Sequence, residues 1–144
     1  MLFRSTIGAA VTPEADPVGP MLAKFEVKVK AGAQFFQTQA IYNPDLFASF
    51  MKAVRPYKVK VLAGILLLRN HKMAEFMNAN IPGVSVPQEM IDELKAAGDK
   101  AEDVGVEIAV RTINAVRAHC DGVHIMAIKG THRLADIITK ARLG

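Results

Sequence analysis

"KVKAGAQFFQTQAIYNPDLF" (residues 28–47) passes from a helix to a strand and back to a helix. Its first residues close a helix predicted over Met21–Ala31, in which Met21, Leu22, Phe25 and Val29 recur at helical spacing. Gly32 stands where a C-cap belongs, since glycine reaches the left-handed conformation without a Cβ penalty. "QFFQTQ" (34–39) then reads as a short strand. Asn43 suits the N-cap of the next helix, and Pro44 its first position, where a missing N–H costs nothing. Leu46, Phe47, Phe50, Met51 and Val54 make that helix's apolar stripe, and Pro56 stops it.

The same beat continues on both sides. Upstream, "TIGAAV" (6–11) is a short apolar strand, and "TPEADPVGP" (12–20) is a loop rich in proline. Downstream, "KVKVLAGIL" (58–66) is a third strand, followed by a helix over 71–79, the loop "NIPGVSVP" (80–87) and a short helix from Pro87. The longest helix is predicted over 100–119, with Val106, Ala109, Val110, Ile113 and Val116 on one face. "GVHIMAI" (122–128) is a fourth strand and His132–Arg142 a last helix. The predicted order is β-α-β-α-β-α-α-α-β-α. Apolar strands that alternate with helices specify an α/β fold of parallel βα repeats, because parallel strands need long crossovers and helices bury the sheet. No linker divides residues 1–144, so a single domain is expected: a small open sheet or half of an eight-unit barrel. In both, functional residues gather at the C-terminal ends of the strands. That rule selects Thr12 to Asp16, Gln37 to Asn43, Leu66 to His71, and Met126 to His132.

Composition narrows the classes. With 51% hydrophobic and 22% charged residues the chain can bury enough surface to order itself. The net charge of +4 comes from 18 Lys and Arg that form no run, which argues against a nucleic-acid partner. A single cysteine, Cys120, allows no internal disulfide and fits a reducing, cytoplasmic setting. The start "MLFRSTIGAAV" is too short for the apolar region of a signal peptide, and "VLAGILLL" (61–68) is too short to cross a bilayer, so no membrane partner is expected.

Candidate chemistry is modest. Glu14 and Asp16 are acid–base candidates or plain loop carboxylates near a helix N-terminus. Gln37 and Gln39 share one side of their strand and Thr38 takes the other. Gln39 can both donate to and accept from a flat heteroaromatic ring, or be an interior amide bonded to its neighbours; spacing alone leaves the two level. Lys24 and Lys28, one turn apart, are a phosphate-facing pair or a solvated face. The histidines 71, 119, 124 and 132 have no metal spacing, so no metal is expected. GxGxxG, Walker and GxSxG motifs are missing, which removes the classical nucleotide folds and the serine elbow.

Several segments together carry a resemblance. "IGAAVTPEADP", "KFEVKVKAGAQFFQTQAIYNPDLFASFMKAV", "VLAGILLL", "VPQEMIDELKAA", "GVEIAVRTINAVR" and "GVHIMAI" follow the order seen in the methylenetetrahydrofolate reductase family. Its most specific part is K-V-x-A-G-A-x-x-x-x-T-Q, residues 28–39. The resemblance implies a flavin-dependent enzyme on a (βα)8 TIM barrel, with FAD at the C-terminal ends of the strands. It implies reduction of 5,10-methylenetetrahydrofolate to 5-methyltetrahydrofolate, with NADH, NADPH or another electron donor recharging the flavin. On that alignment the chain corresponds to strands five to eight. The first four strands, which carry the family's catalytic acids, are absent, so no catalytic residue is assigned and the chain alone is expected to lack activity.

Carried over position by position, Gln39 matches the glutamine that contacts the folate's pterin ring and the nicotinamide, and Lys28 a lysine that helps hold FAD. Lys24 lies at another FAD-contacting position. Thr12 and Asp16 fall where the family often has Tyr and His beside FAD. Leu67 stands for a common Pro, His71 lies near an aromatic that stacks on substrate, Met126 replaces a Tyr, and Gly130 falls where many members have Arg. A homo-oligomer of half-barrels or a complementing N-terminal half would cover the open edges. The alternatives are a non-catalytic assembly or binding module derived from the family, and a different flavin or folate enzyme on the same scaffold.

Overall fold

A computed structural model describes residues 5–144, so the reading of the first four residues lies outside it. The ten elements occur in the predicted order: β1 (Gly8–Val11), α1 (Val18–Lys30), β2 (Phe35–Ala40), α2 (Pro44–Val54), β3 (Lys60–Leu66), α3 (His71–Asn80), α4 (Gln88–Ala97), α5 (Ala101–Val116), β4 (Gly122–Met126) and α6 (Leu134–Lys140).

Boundaries moved where local chemistry outweighed periodicity. Helix α1 begins at Val18 rather than Met21, because Pro20 falls in its first turn, where no N–H is needed. Strand β3 starts at Lys60 rather than Lys58, whose φ of 55° breaks the strand. Strand β4 ends at Met126, before the left-handed pair Lys129 and Gly130. The last helix opens as a tight turn over Thr131–Arg133. Gly32 does close α1: its N–H donates to the Val29 carbonyl and that of Ala33 to the Lys28 carbonyl, the paired bonds of a Schellman end. Asn43 caps α2, accepting from the N–H groups of Asp45 and Leu46, both at 3.1 Å.

All pairings are parallel, and the strand order is β1-β2-β3-β4. A doubly wound sheet reverses its strand order part-way, whereas consecutive order is that of successive units in a (βα)8 barrel. One face carries the main core. Phe36, Val61, Ala63 and Ile65 pack there with Met21 and Phe25 of α1, Phe47 and Phe50 of α2, Val106 and Ile113 of α5, and Ile137 of α6. Phe25 stacks on Phe36 with ring centroids 4.1 Å apart. On the opposite face Phe35, Gln37, Leu62 and His124 are only half-buried, and Gly8 and Ala10 are exposed. Among the described residues, no strand pairs with the outer edges of β1 and β4.

A second apolar cluster closes the C-terminal end of the sheet. Tyr42, Leu66 and Leu68 meet Ala74 and Met77 of α3, Leu94 of α4 and Ile108 of α5. At the opposite end, Asp121 ties β3 to the turn before β4. Its carboxylate accepts from the Val61 N–H at 2.9 Å and faces the Arg55 guanidinium at 3.4 Å. Partial burial pushes this carboxyl up, but the Val61 bond and the Arg55 charge outweigh it and hold it below the usual carboxylate range. A depressed folded pKa contributes stability above the unfolded value of 3.8 and loses it as pH falls through the folded one. Asp121→Asn should therefore cost about 1 kcal/mol at neutral pH. Denaturant titrations should show that deficit closing below pH 3.8.

Candidate functional site

Two concavities open at the C-terminal end of the sheet. The first, about 480 Å³, lies between β1 and α1 and is lined by Thr12, Asp16, Lys24 and Lys28 over an apolar floor that includes Val11, Met21 and Phe25. All four residues expected to hold the cofactor therefore share one cleft. The Lys28 ammonium donates to the Ala10 carbonyl at 2.6 Å. The Ile7 carbonyl accepts from the Gln34 N–H, so odd residues of β1 serve β2 and even ones face the open edge. Lys28 thus caps an edge carbonyl and keeps two further ammonium protons for the cleft.

The second cleft, about 240 Å³, is lined by Gln39, Ala40, Leu66, Met77, Ile81, Val84, Met126, Ala127 and Ile128. It holds two of the residues expected at the substrate, Gln39 and Met126. It does not hold the other two. Leu67 is fully buried in the main core, because alternation along the chain end of β3 turns Leu66 to the cleft and Leu67 to the helices. His71 opens α3, half-buried, and lines neither cleft.

Gln39 owes its aim to a break in the ladder. Gln37 pairs with Leu62 and Ala40 with Gly64, so three steps on β2 match two on β3. The Thr38 hydroxyl fills the gap, accepting from the Gly64 N–H at 2.8 Å and donating to the Gln39 carbonyl at 2.7 Å. Such bulges re-aim side chains beside active sites. Gln37, two residues earlier on the strand, lines a separate shallow hollow with Gly8 and Phe35. The bulge leaves the Gln39 Oε1 buried with no hydrogen-bond partner among the described residues. A buried acceptor in that state costs about 1–3 kcal/mol unless something fills it.

Gly83 was not singled out by its sequence, although the Pro82–Gly83 pair marks a turn. It has φ of 79°, and a Cβ there would lie 2.3 Å from the Thr12 methyl and 3.5 Å from Gln39 Oε1. It therefore stands where the two clefts adjoin. Glu14, an acid–base candidate, is spoken for. Its Oε1 accepts from the N–H groups of Tyr42 at 2.8 Å and Asn43 at 2.7 Å, tying the first loop to the second. Burial pushes its carboxyl up, and the two N–H bonds offset only part of that. Among the described residues no group of three His, Cys, Asp or Glu could hold a metal ion, and no helix is long and apolar enough to cross a membrane.

The methylenetetrahydrofolate reductase family profile matches residues 6–142. The chain belongs to that family. Methylenetetrahydrofolate reductase 2 of Schizosaccharomyces pombe is 30% identical over 160 aligned residues, covering 95% of this chain and 25% of that protein. Methylenetetrahydrofolate reductase 1 of the same yeast is 30% identical over 113, covering 72% and 19%. This methylenetetrahydrofolate reductase family chain thus spans about a quarter or less of the curated relatives it matches.

Proposed function

We propose that the chain supplies strands five to eight, the C-terminal half, of a (βα)8 flavin-dependent methylenetetrahydrofolate reductase that converts 5,10-methylenetetrahydrofolate to 5-methyltetrahydrofolate. The observation that carries this reading is the unpartnered Gln39 Oε1, buried in an apolar cleft next to a second cleft with two lysines.

The donor set of the first cleft fits FAD. Lys24 and Lys28, one turn apart, suit a pyrophosphate, the Thr12 hydroxyl can donate or accept, and the exposed Asp16 carboxylate suits a ribose hydroxyl. When bound, FAD supplies the hydride that the folate receives. In the second cleft Gln39 Oε1 accepts from a pterin N–H, its amide nitrogen donates to a ring acceptor, and the walls of Leu66, Met77, Val84 and Met126 exclude water. Thr12 and Gln39 both approach Gly83, so the two ligands would meet there.

The catalytic acids belong to strands one to four of the family barrel and come from a complementing N-terminal half, while a homo-oligomer would cover the open edges without supplying them. The open edges of β1 and β4 favour such completion. NADH, NADPH or another donor recharges the flavin in a cytoplasmic setting, and neither nucleic acid nor membrane takes part.

Titration of the chain with FAD and with pteroylglutamate tests the assignment of Gln39. Gln39→Leu should weaken pteroylglutamate roughly 5- to 150-fold, the worth of 1–3 kcal/mol, and leave FAD unchanged. The ligand-free thermal midpoint should hold or rise, since an unsatisfied acceptor is removed. A fallen midpoint with unchanged folate affinity would make Gln39 a structural amide.

A further inference from the structure

We propose that Arg69 is an anion-binding residue at the rim of the Gln39 cleft, receiving a carboxylate of the ligand whose ring lies inside; this rests on the folate reading above. The chain ends that line the cleft, Leu66 after β3 and Met126 to Ile128 after β4, continue outward and meet. A Cβ at Gly130 would lie 3.3 Å from both Cδ and Nε of Arg69. Gly130 has φ of 71° and no side chain, so the arginine stem lies across it, two residues beyond the cleft-lining Ile128.

One bond fixes the guanidinium. Its Nε donates to the Glu102 Oε2 at 3.1 Å, at the start of α5. The other Glu102 oxygen faces the His132 Nε2 at 3.3 Å. The two terminal nitrogens of Arg69 donate no hydrogen bond among the described residues, and the side chain is 34% exposed. An arginine anchored through Nε, with its terminal fork open, presents two parallel N–H donors that match a carboxylate. The neighbouring Arg133 lacks that freedom, being held by Asp103 at 2.7 Å and Asp136 at 2.6 Å. The cleft thus has an unsatisfied acceptor within and an open cationic fork at its rim. A flat hydrogen-bonding ring that carries a carboxylate on an extended arm satisfies both.

Two ligands separate the contributions: pteroylglutamate, and the same pteridine ring without its benzoylglutamate arm. Arg69→Ala should weaken the first roughly tenfold and leave the second unchanged, with Arg69→Lys between, since a lysine keeps the charge and loses the fork. Added salt should shrink the difference. The thermal midpoint of each variant serves as the folding control. Equal losses for both ligands, or none, would overturn the assignment. So would loss of inorganic phosphate binding with pteroylglutamate untouched, which would make the anion a phosphate. If the unmodified chain binds neither pteridine, the folate reading fails and Arg69's role falls with it. If it binds both and Arg69→Ala changes nothing, the Arg69 assignment alone fails.

Discussion

Gly105→Ala is expected to abolish or nearly abolish folding. Gly105 lies buried inside α5, where a Cβ would stand 1.7 Å from the Leu68 carbonyl oxygen. That oxygen belongs to the backbone just past β3, and both neighbouring leucines are fully buried. Neither partner can yield without separating α5 from the sheet. Overpacking of this kind costs about 3 kcal/mol or more, against a total stability on the order of 5–15 kcal/mol. Intrinsic helix preference points the other way, since alanine in a helix interior is favoured over glycine by about 1 kcal/mol. The sign of the change is therefore decisive. Denaturant unfolding of Gly105→Ala should show a large loss or no cooperative transition; a gain would mean that α5 does not lie against Leu68.

Gly64→Ala should reach the site through the fold. A Cβ on Gly64 would meet the Thr38 carbonyl oxygen at 2.4 Å and the Gln39 carbonyl oxygen at 2.7 Å. The bulge would have to move, and with it the bond from the Gly64 N–H to the Thr38 hydroxyl. The stability loss should be about 1–3 kcal/mol. Because the first cleft does not include Gly64, pteroylglutamate binding should fall well beyond FAD binding. Equal weakening of both ligands would mean that the bulge does not aim Gln39.

Much of the architecture was legible because its signals are local. Asn43–Pro44, Gly32 and the stripe from Leu46 to Val54 each act within one turn of chain, and the observed elements follow them. The strand-end rule reached Thr12 and Asp16, but spacing left Lys24 and Lys28 open between a phosphate pair and a solvated face, and only the family resemblance grouped the four that share the first cleft. The second cleft was less legible. Alternation cannot reveal a bulge, because the room for the extra residue at Thr38–Gln39 is left by Gly64 on a different strand. The family resemblance put Leu67 at the substrate, whereas alternation along the end of β3 turns its neighbour Leu66 to the cleft. Arg69 falls within the Leu66–His71 strand end selected from the sequence, but Gly83 lies in the loop between α3 and α4, and no periodicity in the chain places it.

The central claim is that these clefts form half of a folate-reducing flavin barrel. It is tested most directly by joining the chain to the first four strands of a family member and mixing the FAD-reduced complex with 5,10-methylenetetrahydrofolate without oxygen. The account predicts that the flavin absorbance returns as 5-methyltetrahydrofolate forms, and that Gln39→Leu slows this return. A complex that assembles but binds no flavin, or whose reduced flavin is not oxidised by the folate, would contradict it.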